Sequence, residues 1–194
     1  MKYFILIGLA VITLLYTASF SKDDSIKHKV YPENSKSAYF AGGCFWGVEY
    51  HFEKQTGVLD AISGYMGGTV ENPDYYGVVR GNTGHLESVR VVYDPSKTSF
   101  EKLAKLFFEI HDMEQTNGQG PDIGSQYLSA IFYNDEKEKQ TSQKLIELLT
   151  KKGYKVATSL KKADTFYSAE GYHQDYYQRK GSLPYCHVYK KIFD

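Results

Sequence analysis

Only two cysteines and one tryptophan occur among the 194 residues, and the cysteines form no Cys-x-x-Cys pair. A zinc site built on paired cysteines is thereby excluded. Six histidines are scattered along the chain, and Glu170-x-x-His173 is a single copy of a motif that a di-metal carboxylate centre needs twice. Neither a metal nor a cofactor is therefore expected. Excess charge is lacking too. Lys and Arg total 23 against 23 Asp and Glu, and no long block of one sign stands out, which argues against a nucleic-acid-binding surface. The glycines of Gln119-Gly120-Pro121-Asp122-Ile123-Gly124 do not follow the dinucleotide fingerprint, and no strand there leads into a helix, so phosphate binding is set aside. Internal repeats and low-complexity tracts are absent.

Tyrosine is abundant instead, at 18 residues. So many phenols need hydroxyl partners, and some are expected to line a polar cavity. Lys2 followed by the apolar run Phe4–Tyr16 and small residues at Thr17-Ala18-Ser19 marks residues 1–21 as a signal peptide or N-terminal anchor. Export follows as the expectation, to a periplasmic space or the outer side of a membrane, with membrane contact only through an uncleaved segment. Residues 22–36 read as a flexible lead-in and 37–194 as the single functional domain.

Within that domain, Ser37–Phe40 reads as a strand, Phe45 to Gly57 as a helix and Val58–Tyr65 as a strand. Residues 69–85 read as a long loop. Leu86–Tyr93 is the clearest strand, followed by a helix whose buried stripe is Leu103, Leu106, Phe107 and Ile110, capped by Thr98 with Glu101. Gln126–Tyr133 is a further strand, 135–152 a further helix, and Tyr154–Thr158 a return strand. Ser168 is expected to cap a short helix carrying Glu170, His173 and Tyr177, and the tail 181–194 to be irregular. The order strand-helix-strand, strand-helix-strand predicts an α+β fold, a ferredoxin-like split β-α-β sandwich with an added helix.

The residue around which the chain is organised is Cys44. It stands between Gly42-Gly43 and Phe45-Trp46-Gly47, at a strand-to-helix junction where the helix N-terminus favours a thiolate. The glycines give a ligand room to approach the backbone, and the two aromatics supply an apolar wall. In packing terms alone, Cys44 reads equally well as a small buried hydrophobe. In an oxidising compartment, Cys44 and Cys186 read by default as a structural disulfide. Alternation places Glu87 on the face of Val89 and Val91. There it is either a desolvated, protonated carboxyl or a strand-end carboxylate facing water.

Five stretches carry a resemblance. They are Gly43-Cys44-Phe45-Trp46-Gly47, Gly64-Tyr65-Met66-Gly67-Gly68, and Asn72-Pro73-Asp74-Tyr75 with Thr83-Gly84-His85-Leu86-Glu87. Asp122-Ile123-Gly124-Ser125-Gln126-Tyr127 and Phe166-Tyr167-Ser168-Ala169-Glu170-Gly171-Tyr172-His173-Gln174 complete the set. Together they resemble the A-type peptide methionine sulfoxide reductases over residues 39–187, and 37–194 becomes the catalytic domain. The resemblance implies that Cys44 attacks the sulfoxide sulfur and that Glu87 is the acid for the departing oxygen. Tyr75 and Tyr127 bind that oxygen, Phe45 and Trp46 hold the methyl group, and Asp122 and His173 orient outer groups or water. Cys186 matches the recycling position that resolves the Cys44 sulfenic acid to a disulfide, in a tail suited to movement. Implied further are selectivity for the S epimer, free or in oxidised proteins under repair, electrons from thioredoxin or a thioredoxin-like dithiol, and a monomer.

Val79-Arg80, Met113-Glu114 and Leu128 depart from the usual family pattern and bear on loop shape and substrate affinity. Two other readings use the same residues. A cysteine hydrolase would set Cys44, His173 and Asp122 in relay, leaving Glu87 and Cys186 without roles. An exported binding module would use the two cysteines as a staple and the tyrosines as a contact face.

Overall fold

The computed structural model describes residues 29–193, so the expected signal or anchor segment 1–21 lies outside the described residues. The chain forms β1 (Lys36–Gly42), α1 (Phe45–Glu53), β2 (Val58–Met66), α2 (Tyr75–Val79), β3 (Leu86–Tyr93) and α3 (Phe100–Ile110). There follow β4 (Gly118–Gln119), β5 (Asp122–Ile123), β6 (Ser129–Tyr133), α4 (Glu136–Lys151), β7 (Ser159–Lys162), β8 (Tyr167–Ser168) and α5 (Tyr176–Lys180). Six strands make one sheet in the order β7-β6-β1-β3-β2-β8, and β4 and β5 form a separate two-stranded ribbon. The inner four strands, β6-β1-β3-β2, are antiparallel neighbours. This is the split β-α-β arrangement: β1-α1-β2 and β3-α3-β6 interleave, as the order of elements predicts.

Period-two alternation decides which face each strand buries. Phe40, Val89, Val91 and Ile131 point toward α1 and α3. There they join Phe45, Val48, Phe52, Leu103 and Phe107 in the main core. Ala41, Met66, Leu86, Ala130 and Phe132 form a smaller cluster on the other face. Phe40 stands opposite Val89, and continuing that register brings Gly42 level with Glu87, while β2 sets Tyr65 against Glu87 on its other side. Gly42 also pairs with Ser129 at the start of β6. One end of the sheet thus gathers the start of α1, Glu87 and the loop entering β6.

The structure departs from the expected elements where segments are short. The 69–85 segment contains α2, whose cap is Asp74; its carboxylate accepts from the Gly77 amide at 2.7 Å. Ser99, not Thr98, caps α3. Residues 125–127 form a 3-10 turn, so β6 begins only at Ser129 and Tyr127 lies outside the strand. The return strand is Ser159–Lys162, not 154–158, and runs parallel to β6. Ser168 belongs to β8. Beyond it a 3-10 turn, Gly171–His173, and a separate α5 replace the single helix expected there.

Candidate active site

At the end of β1 the chain turns through Gly43, at φ +92°, into Cys44, the residue that precedes α1. The glycines here admit this chain's own side chains rather than a ligand. A Cβ on Gly43 would lie 2.3 Å from Gln119 Cβ, and one on Gly42 would lie 2.8 Å from the Phe107 ring. Gln119 in turn clasps the Asp112 backbone, its Oε1 accepting from the amide at 2.9 Å and its Nε2 donating to the carbonyl at 3.1 Å. The 112–125 loop is thereby locked over the start of α1.

Glu87 is buried, and the face it shares with Val89 and Val91 is the core face. Its Oε2 accepts from the Phe45 amide at 3.1 Å, one of the amides that the start of α1 leaves unpaired. Burial is the main influence and pushes the carboxyl up to about 8; the Phe45 amide opposes it without cancelling it. Glu87 is thus a neutral acid at neutral pH, and not a carboxylate facing water.

Cys44 is buried and Cys186 half-buried, both as unbonded thiols. Each moves the acidity of the other, and the effect on the two is opposite. Cys44 is raised well above an ordinary thiol by its bond to Cys186, by burial and by nearby Glu87; the Trp46 amide acts the other way. Cys186 is lowered to about 5, by Cys44 first and then by His187. The two sulfurs therefore titrate as a pair rather than one by one. The helix start favours a thiolate at Cys44, while the partner thiol from the far end of the chain and burial push the other way.

Around this pair stand the aromatics. Phe45 is buried, and Trp46 stacks on Tyr176 at 3.7 Å between ring centroids. The Trp46 indole donates to His173 Nδ1 at 3.1 Å. His173 is buried, held below its ordinary value by desolvation, and packed 4.5 Å from the Tyr75 ring. The Tyr75 amide donates to Glu170 Oε1 at 3.0 Å, and the Tyr65 hydroxyl donates to Glu170 Oε2 at 2.9 Å, so one carboxylate seats α2 against β2. Burial raises the phenols of Tyr75 and Tyr127, and so does the proximity of Glu87 and Cys44. Cys44, Glu87, Tyr75 and Tyr127 therefore lie close enough to feel one another's charge. Asp122 stands further out, accepting the Tyr185 hydroxyl at 3.1 and 3.2 Å.

His173 hydrogen-bonds Trp46, and its Nε2 faces Glu170 Oε2 at 3.8 Å with no hydrogen-bond partner among the described residues. The Cys44–His173–Asp122 relay of a hydrolase is thus not assembled. Among the described residues no three His, Cys, Asp or Glu side chains converge as a metal site would require. Sequence reasoning gave no role to Gln119 or His187, and it weighed Glu170 only as half of a metal motif. Glu170 lies within a matched stretch and His187 directly follows Cys186, so sequence adjacency was the available signal for both.

The family model for peptide methionine sulfoxide reductase matches residues 36–193. The chain belongs to that family. It is 46% identical over 149 residues to a peptide methionine sulfoxide reductase MsrA of Nautilia profundicola, covering 77% of this chain and 86% of that one. Its fold is similar to the crystal structure of reduced Mxr1 from Saccharomyces cerevisiae, with TM-score 0.77 and 32% identity over 84% of this chain and 96% of the other. Mxr1 in complex with Trx2 shares the fold at TM-score 0.56 and 23% identity, over 84% and 95% of the two chains. The reductase is an oxidoreductase that performs thiol-dependent reduction of methionine sulfoxide.

Proposed function

We propose that the groups around Cys44 divide the reaction as follows. The side chain of a methionine S-sulfoxide, free or within an oxidised protein, enters with its methyl group against Phe45 and Trp46. Its oxygen accepts from the hydroxyls of Tyr75 and Tyr127. Glu87 supplies a proton to that oxygen. Its Oε2 already accepts from Phe45, so Oε1 carries the acid hydrogen. Protonation makes the sulfur more electrophilic, and Cys44 Sγ attacks it. Methionine departs and Cys44 is left as a sulfenic acid, which Cys186 converts to a disulfide. His173 holds the Trp46 indole, and Asp122 holds Tyr185 beside Cys186.

The observation that carries this reading is the buried, protonated Glu87 fixed to the first amide of the helix that begins after Cys44. A binding module has no need of an acid there. The reductant in this reading is thioredoxin or a thioredoxin-like dithiol, in keeping with the Mxr1–Trx2 complex. The enzyme would act as a monomer, exported behind residues 1–21 and without metal or prosthetic group. The deciding experiment offers separate S and R epimers of a blocked methionine sulfoxide with excess dithiothreitol to wild type, Cys44→Ser and Cys186→Ser. Turnover of the S epimer alone, abolished in Cys44→Ser, is expected. Reduction that survives in Cys44→Ser would overturn the assignment.

A further inference from the structure

His187 directly follows the proposed resolving cysteine, and its imidazole is buried. Nε2 lies 2.7 Å from the carbonyl oxygen of Gly42. A carbonyl can only accept, so Nε2 carries the hydrogen and donates it. The other nitrogen, Nδ1, lies 3.0 Å from Cys186 Sγ, and in the neutral form of the ring it presents its lone pair there. The ring is held in this orientation by a slot with no spare room. A Cβ on Gly47 would fall 2.2 Å from Nδ1, and one on Gly43 would fall 3.6 Å from Cε1. His51 Nε2 meets the His187 carbonyl at 3.2 Å and fixes the backbone as well. A tautomer set by a carbonyl on one side, with the free lone pair aimed at a thiol on the other, is the arrangement of a base.

We propose that His187 is the catalytic base of the resolving step, a role that rests on Cys44 being the sulfenic acid and Cys186 the thiol that attacks it. The Cys186 S–H proton passes to His187 Nδ1. The Cys186 sulfur attacks Cys44 Sγ, forming the S–S bond and breaking the S–O bond. The hydroxyl group leaves as water with the proton that His187 gives back. Cys186 is oxidised, Cys44 is reduced, and no further reagent is consumed. The lowered pKa of Cys186 agrees with this pairing, though Cys44 contributes more to it than His187 does. The titratable groups facing the pair are Cys44, Glu87 and Asp122, with His51 and His111 on the helices behind.

The competing role is an anchor, in which His187 merely ties the tail to Gly42. His187→Gln separates the two, because its amide can still donate to the Gly42 carbonyl but presents no base to Cys186, whereas His187→Ala loses both. Each is reacted with one equivalent of methionine sulfoxide without external reductant, following methionine release and disulfide formation separately and trapping Cys44 sulfenic acid with dimedone. Both variants are expected to slow disulfide formation by about 100-fold more than methionine release, with the dimedone adduct accumulating. Glutamine restoring the wild-type rate of disulfide formation, or both steps falling together, overturns the proposal. A second measurement does not depend on sulfoxide chemistry. In Cys44→Ser protein, iodoacetamide alkylation of Cys186 at pH 7 is expected to slow at least about tenfold when His187→Gln is added. An unchanged alkylation rate overturns the pairing even if the wild type reduces no sulfoxide.

Discussion

Glu87 is a carboxyl that shares its strand face with Val89 and Val91 and whose hydrogen bond comes from a neutral amide, so desolvation dominates its chemistry. Its folded value, near 8, lies above the ordinary carboxylate value of 4.5. The sign of the linkage follows. Its contribution to stability is fully present below about pH 4.5 and is lost as pH rises through about 8. Glu87→Gln should therefore melt several degrees above wild type at pH 9 and show no gain at pH 4, as read by thermal denaturation at the two values. Methionine release in a single turnover should fall roughly 10²–10⁴-fold in the same variant. In wild type the release rate should decline with a midpoint near pH 8, and in the variant this decline should vanish. A variant that loses activity without gaining stability at pH 9 would mean that Glu87 is not neutral in the fold. Alternation along Leu86–Tyr93 placed this residue on the core face from sequence alone. The same reasoning covers only the local surroundings of Cys44. Its surroundings include a thiol from the far end of the chain, and local spacing cannot register that.

At the scale of elements, the long periodic segments were legible and the short ones were not. Helices α1, α3 and α4 and strands β1 to β3 fall close to where the hydrophobic pattern puts them. The five residues of α2 are too few to show a period, and α2 owes its start to the Asp74 cap. The 3-10 turn before β6 removes Tyr127 from a strand that its alternation seemed to extend. Gly47, in the first turn of α1, has no room beside it. A methyl group there would lie 2.2 Å from Nδ1 and 2.7 Å from Cγ of His187. Gly47→Ala should leave α1 itself intact, since alanine is the better helix former. The C-terminal segment should give way instead, at a stability cost of about 1–3 kcal/mol. The expected result is a lower denaturant midpoint with unchanged helical circular dichroism, and disulfide formation slowed more than methionine release. Disulfide formation at the wild-type rate would show that the segment accommodates the methyl without moving Cys186.

At the scale of the whole molecule, the split β-α-β core was predictable because its logic is local: each helix follows its strand and packs on the same sheet. The additions were not. β7 joins β6 in parallel and β8 joins the edge of β2, both through pairings between segments with little pattern of their own. The C-terminal segment is the clearest case. It is irregular, as expected, yet it is fastened on both sides of Cys186. Tyr185 donates to Asp122, His187 to the Gly42 carbonyl, and further on Glu109 of α3 gathers the segment's end. Glu109 Oε1 accepts the amides of Ile192 at 2.8 Å and Phe193 at 2.9 Å, while its backbone carbonyl accepts from Lys190 at 2.7 Å. The thiols already meet in this state, so resolution requires no long excursion of the tail. Removing the carboxylate in Glu109→Ala leaves two amides unpaired and should cost about 2–3 kcal/mol. The loss should be local before it is global. Amide exchange at Ile192 and Phe193 should rise by about tenfold or more while the strand amides of β1 and β3 keep their protection. Because Glu109 touches neither thiol, methionine release should be little affected, and disulfide formation should slow as Cys186 spends less time against Cys44. Equal loss of protection in tail and sheet would instead make the tail part of the cooperative core. In that case the same substitution should slow both half-reactions together.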